Sequence, residues 1–170
     1  MIQTIELGGA TIAYCEIEKD APTRRAAERA AVDRLVSHLL PGRTLSHLPS
    51  GAPTVGDDTH ISVSHSRRLA VVAISPLPIG VDAEEDRPTQ LRRVAPRVMT
   101  EAELAACPDL LLAWTAKEAA YKAVPGLKTL LDVELLSPTA ARAGGIPLRL
   151  HTTLAATTRI TLATPALRCN

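Results

Sequence analysis

Hydrophobic and polar positions along the chain alternate between a helical and a strand period. Thr11–Ile17 reads as a strand that Asp20–Pro22 breaks. Thr23 then caps a helix running to about Leu40, with an apolar stripe at Ala27, Ala31, Leu35 and Leu39. Pro41–Asp58, rich in Gly and Pro, reads as a loop. His60–Ser66 alternates Ile61 and Val63 with serines, whereas Leu69–Ser75 is continuously apolar, the mark of a strand buried on both faces. Ile79–Glu84 alternates Ile79, Val81 and Ala83 with Gly80, Asp82 and Glu84. Helices are predicted at Pro88–Pro96, Thr100–Ala106 and Pro108–Val124, and three closing strands at Leu130–Leu136, Ile146–Thr153 and Arg159–Thr164. The layout is mixed α+β in one compact unit, since 170 residues suffice for one domain with a sizeable core but not for two ordinary ones.

Composition sharpens this picture. Hydrophobic residues make up 46% of the chain, which excludes a disordered polymer, yet Phe is absent and the only aromatics are Tyr14, Trp114 and Tyr121. Aliphatic side chains and alanines must therefore fill the core. Fifteen of the 19 basic residues are Arg, and three of the four Lys (Lys117, Lys122, Lys128) share one stretch with Trp114 and Tyr121. A net charge of +1 argues against neutralising a nucleic-acid backbone over a long footprint, while allowing a local basic pocket. The longest apolar runs, Leu69–Ile74 and Leu110–Trp114, fall far short of the roughly 20 residues of a membrane span. Met1–Ala10 lacks the basic start and long apolar centre of an export signal. Cys15, Cys107 and Cys169 are odd in number and far apart, fitting neither a disulfide framework nor a zinc site, so the reducing cytoplasm is the expected compartment.

Three segments carry candidate chemistry. In Gly80-Val81-Asp82-Ala83-Glu84, residues two apart on a strand share a face, so Asp82 and Glu84 are paired beside a strand that reads as buried. Two such acids repel unless a cation neutralises them, and Mg²⁺, which takes one or two carboxylates plus phosphate and water, is the economical candidate. The competing account is an exposed strand end with solvated acids, continued by Glu85, Asp86 and Arg87. Trp114 through Lys122, as a helix, places Glu118 and Lys122 four residues apart on one face, either a surface ion pair or a charge clamp and proton acceptor for phosphoryl transfer. Ile61 through Arg68 ends a strand in Ser64, His65, Ser66, Arg67 and Arg68, donors suited to phosphate. A Ser–His nucleophile pair there is disfavoured, because adjacent strand residues point to opposite faces and no nucleophile elbow surrounds them. No phosphate-cradling Gly-x-x-x-x-Gly-Lys loop occurs.

In order and spacing these segments resemble the 4′-phosphopantetheinyl transferases, specifically the larger surfactin-synthetase-activating type. That family shows a Ser-His-Ser strand end, a Gly-(Ile/Val)-Asp-x-Glu strand and a Trp-(Ser/Thr)-x-Lys-Glu-x-x-x-Lys helix, here Ser64-His65-Ser66, Gly80 to Glu84 and Trp114 to Lys122. Gly51-Ala52-Pro53 stands where the family has Gly-Lys-Pro, and Met99 to Glu103 resembles its Phe-Ser-x-x-Glu stretch. The resemblance implies an α+β fold of two related halves, about 1–78 and 79–170, enclosing coenzyme A in a single transferase domain. It implies Mg²⁺-dependent transfer of 4′-phosphopantetheine from coenzyme A to a serine of an acyl or peptidyl carrier protein; charge and apolar run length give the expectation of no nucleic-acid or membrane partner, and the chain is expected to be a monomer. By matched position, Asp82, Glu84 and Glu118 would ligate the metal, Glu118 and Lys122 would be catalytic, and Arg24, Pro53, Ser64, His65 and Lys122 would contact coenzyme A. Ala52 departs from the family's Lys, and Cys15–Pro22 is short and acidic where longer members are basic, which points to Arg25, Arg67 or Arg68 as substitutes. The rival readings are a non-catalytic homologue that binds coenzyme A or carrier protein, and an unrelated protein in which Asp82, Glu84 and Glu118 lie far apart.

Overall fold

The computed structural model describes residues 1–166; Cys169 lies outside them. The chain opens with a strand that the hydrophobic pattern did not reveal, β1 (Ile2–Leu7), which pairs antiparallel with β2 (Ala10–Glu16). Gly8 and Gly9, with φ of 58° and 82°, make the two-residue turn, and their positive φ matches the twist of the flanking strands. Strand β2 pairs with β6 (Leu69–Ser75) and β6 with β5 (His60–His65), giving the antiparallel order β1-β2-β6-β5. Helix α1 (Arg24–Leu39) begins where Thr23 Oγ1 accepts from Ala26 N at 3.1 Å. Its buried face, Ala27, Ala31, Val32, Leu35 and Val36, packs on Ala13, Cys15, Ala70 and Val72 of the sheet. The predicted loop at 41–58 contains a small hairpin, β3 (Ser46–His47) with β4 (Pro53–Thr54).

The second sheet has the order β7-β11-β10-β9-β8, all antiparallel, built from β7 (Gly80–Glu85), β8 (Val133–Ser137), β9 (Ala140–Ala143), β10 (Ile146–Ala155) and β11 (Thr158–Pro165). The strand expected from Leu130 begins only at Val133, because Thr129 and Asp132 form a capping box that winds Leu130–Asp132 into a 3-10 turn. Strand β9, which the hydrophobic pattern did not reveal, is a short Ala/Arg segment ended by the Gly144-Gly145 turn. Helices α2 (Pro88–Val94) and α3 (Glu101–Ala106), the latter with a Thr100–Glu103 capping box, lead to α4 (Leu110–Ala123), which starts where Asp109 Oδ1 accepts from Leu112 N at 3.0 Å.

Alanine answers the shortage of aromatics. Ala113, Ala116, Ala119, Ala120 and Ala123 of α4 are buried against Val133, Leu135, Leu148 and Leu150, and the small side chains let helix and sheet approach closely. Trp114 and Tyr121 only border this cluster. On its other face the second sheet places Val81, Ala83, Ile160 and Leu162 against Ile12, Leu69, Val71 and Ala73 of the first, so β6 is buried on both sides as its sequence predicts. At their edges β5 and β7 do not form a backbone ladder. The Ser62 and Ser64 hydroxyls accept from Val81 N and Ala83 N at 2.9 and 3.2 Å, satisfying the outward amides of β7 with side chains.

A buried ion pair fixes α4 to α3. Lys117, 1% exposed, donates to Glu103 Oε1 and to Val98 O, both at 2.6 Å, and Glu103 also accepts from Leu135 N at 3.0 Å and Thr100 N at 2.8 Å. Burial works to raise Glu103, but Lys117 and these amides outweigh it and hold the carboxyl below its ordinary range. Lys117→Met strands that charge and is expected to cost about 3–5 kcal/mol at pH 7, read by urea denaturation. A carboxylate with a lowered folded-state pKa stabilises above its unfolded value, about 4.3, and loses that contribution as pH falls through the lower folded value. The gap between wild type and variant should therefore close in acid; a gap that widens contradicts the assignment.

Candidate functional site

The site is assembled by β7 and α4, and a glycine sets their distance. A Cβ built on Gly80 would lie 2.0 Å from Ala119 O and 2.5 Å from Ala123 N, so only glycine lets the backbone of α4 rest on the start of β7. That contact brings Lys122 onto the strand. Its Nζ donates to Asp82 Oδ1 at 2.7 Å, to Val81 O at 3.1 Å and to Ser64 Oγ at 3.3 Å. Asp82 is 5% exposed, which overturns the account of solvated acids for this residue, and its Oδ2 is buried with no hydrogen-bond partner.

Glu84 and Glu118 lie within the electrostatic reach of Asp82. Burial, reinforced by the Asp82 charge, holds Glu118 above the usual carboxylate range despite Lys122. Burial likewise raises Glu84, with Arg87 opposing it and Asp82 adding to it. In both, burial outweighs the neighbouring cation. Among the described residues, however, no three His, Cys, Asp or Glu side chains form a group ready to hold a metal. Two of the three acids have internal cations instead: Asp82 has Lys122, and Glu84 has Arg87 at 2.6 Å. The donor chemistry still suits a hard divalent ion, because the ligands are all oxygen, one buried oxygen is unpartnered, and Mg²⁺ draws most of its shell from water and phosphate.

The residues expected to contact phosphate separate into different roles. The Ser64 hydroxyl gives its proton to Asp82 Oδ1 at 2.9 Å and accepts from Ala83 N and Lys122, so its donor and both lone pairs are engaged inside the protein. It supports Asp82 and has no proton left for a phosphate. His65 follows it on the opposite face, exposed, with Nδ1 3.5 Å from Glu28 Oε1. Arg24 meets the same Glu28 oxygen through Nε at 2.7 Å and donates to Arg67 O and Ser66 O at 3.1 and 2.8 Å, leaving two of its five N–H groups unassigned. Arg24 and His65 thus converge through Glu28, which the sequence reading passed over although it stands one helical turn from Arg24. A cleft of about 290 Å³ opens beside Arg24, lined by Lys19, Arg24, Arg67 and Arg68 together with the acids Glu16 and Glu18. Pro53, on β4, does not line it, nor do Asp82, Glu84 and Glu118.

Glu85 also escaped the sequence reading, which grouped it with solvated acids. It accepts from Ser66 Oγ at 2.6 Å, Thr158 Oγ1 at 3.1 Å, and Arg67 N and Arg68 N at 3.0 and 3.1 Å. Burial pushes its carboxyl up, but these four donors prevail and hold it below the ordinary range. No pattern along the chain signals this role, because the donors come from a turn 17 to 19 residues earlier and a strand 73 residues later.

No helix among the described residues is long and apolar enough to cross a membrane. No curated protein matches the chain. A family model, that of the 4′-phosphopantetheinyl transferase superfamily, matches residues 78–163. The segment runs from just before β7 into β11 and so holds Asp82, Glu84, Glu118 and Lys122, while Arg24, Ser64 and His65 lie outside it. With just over half of its length matched, the chain belongs to the 4′-phosphopantetheinyl transferase superfamily.

Proposed function

We propose that the protein, a single transferase domain of the surfactin-synthetase-activating type, moves 4′-phosphopantetheine from coenzyme A to a serine hydroxyl of an acyl or peptidyl carrier protein. The observation that carries this reading is the buried Asp82 held by the exposed Lys122, with an unpartnered Asp82 Oδ2 and two nearby acids raised by burial. Coenzyme A lies between the portions built on the two sheets, its phosphates toward His65 and the basic cleft. Asp82, Glu84 and Glu118 would hold Mg²⁺, which supplies charge stabilisation to the pyrophosphate oxygens.

Glu118 accepts the proton of the carrier serine, and a carboxylate raised by burial is the stronger base for that task. The serine oxygen forms a bond to the phosphorus that carries pantetheine. The bond from that phosphorus to the bridging oxygen breaks, and adenosine 3′,5′-bisphosphate leaves with the electron pair. Lys122 has all three ammonium protons engaged, the contact to Ser64 being longest at 3.3 Å. Exchanging that contact for a pyrophosphate oxygen keeps Lys122 on Asp82 while it stabilises the leaving group.

The test is intact-mass measurement of several apo carrier proteins incubated with the protein, coenzyme A and Mg²⁺. A gain of one phosphopantetheine on at least one carrier is the expected result. No gain on any of them, while a control transferase succeeds on the same samples, overturns the proposal.

A further inference from the structure

The Ser66–Arg68 turn is gripped from two sides by side chains of opposite charge. Its carbonyls, Ser66 O and Arg67 O, accept from Arg24 at 2.8 and 3.1 Å. Its amides, Arg67 N and Arg68 N, donate to the two oxygens of Glu85 at 3.0 and 3.1 Å. Arg24 belongs to α1 over the first sheet, and Glu85 ends β7 in the second, directly after Glu84. Glu85 is itself anchored: Thr158 stands opposite it in the β7–β11 register and donates its hydroxyl to the carboxylate, as does Ser66. Every backbone polar group that the clamp touches is thus held by a charged partner, the stronger kind of hydrogen bond.

The side chains displayed by this turn face the cleft. Arg67 and Arg68 are exposed and line it with Lys19 and Arg24; of the two acids that also line it, Glu18 is paired with Arg34, and the contact of Glu16 with Arg68 is loose at 3.6 Å. An acidic residue beside a phosphate site would ordinarily repel the ligand. Here the carboxylate is turned onto four donors of the protein, so its charge is engaged in holding the turn. A guanidinium mounted on a backbone ordered during folding binds its ligand without a further ordering cost, whereas one on a mobile turn must be ordered at the moment of binding.

We infer that Glu85 is a positioning residue: with Arg24 it fixes the Ser66–Arg68 backbone so that Arg67 and Arg68 are presented, already oriented, to the phosphates of a ligand in the cleft. The inference rests on the reading above that this ligand is coenzyme A. It also couples the phosphate-facing turn to the strand that bears Asp82 and Glu84, because the clamp and the acids share β7.

Glu85→Gln tests it, since the amide keeps the size of the carboxylate but puts an NH₂ group where one turn amide needs an acceptor. By hydrogen exchange of the full chain, the Arg67 and Arg68 amides should exchange about tenfold faster or more, with β6 and α4 unchanged. By calorimetry with coenzyme A alone, Kd should rise about tenfold, and in transfer assays KM for coenzyme A should rise similarly with kcat within about threefold of wild type. Unchanged exchange at the turn refutes the clamp. Faster exchange with unchanged Kd and KM makes Glu85 a purely structural link and overturns its positioning role, as does a fall in kcat at constant KM. If the wild type binds coenzyme A but modifies no carrier, the proposed transfer fails while exchange and calorimetry still decide on Glu85. If it binds no coenzyme A, both fall. Should Glu85→Gln not fold, Glu85→Asp, whose carboxylate is drawn back from the turn by one methylene, must show the same pattern.

Discussion

Glu118→Gln is expected to lower phosphopantetheine transfer by about 10³-fold or more while leaving the protein at least as stable as wild type at pH 7. The activity loss follows from removing, in a single step, the proton acceptor and one of the three carboxylates proposed to hold Mg²⁺. The stability follows from the direction of the Glu118 shift. A carboxyl raised above its unfolded pKa contributes most stability when protonated, and this contribution is lost as pH rises through the folded value. The ionised form of Glu118 is therefore the form the fold disfavours, a cost that the neutral Gln relieves. Single-turnover transfer followed by intact mass, beside urea denaturation at pH 7, checks both halves. Full activity in the variant refutes the role, and a large loss of stability would show that Glu118 holds the fold instead.

Gly80→Ala is expected to destabilise the protein by about 1–3 kcal/mol and to reduce transfer by about 100-fold. The added methyl meets backbone atoms of α4, Ala119 O at 2.0 Å and Ala123 N at 2.5 Å, and backbone cannot swing aside as a side chain can. The helix must withdraw by roughly an ångström, a displacement large enough to uncouple reacting groups in other enzymes. Glu118 and Lys122 ride on that helix, whereas Asp82 and Glu84 stay on β7, so the mutation separates the two parts of the site. Thermal unfolding and initial transfer rates measure the two effects. Wild-type behaviour in both would show that α4 does not depend on glycine at this position.

The legible parts of the fold were those with strong local periodicity. Helix α1, with Thr23 as its cap, helix α4 and the doubly buried β6 follow from spacing alone. Strand β1 was missed because its exposed alternation is weak and its stability comes from pairing with β2. Strand β9 was missed because Ala and Arg carry little strand preference, and the Gly144-Gly145 turn and two neighbours impose the conformation.

The clustered lysines show the same division within the site. Lys117 and Lys122 look alike in sequence, five residues apart on one helix. Packing sends Lys117 into the core to Glu103 and lays Lys122 across β7 to Asp82. Trp114 and Tyr121 remain packing residues at the border of the core.

The sequence by itself determined which acids share a strand face, which glutamate and lysine share a helix face, and the order in which they occur, because backbone periodicity decides side-chain direction locally. Only the tertiary structure decided which of these groups meet. Asp82 lies against Lys122 through the close packing that Gly80 permits, Ser64 is turned inward to support Asp82, and Glu85 grips a turn of the other sheet. The physical reason is that burial and hydrogen bonding between distant segments assign the partners of a charge, and spacing along the chain carries no record of them.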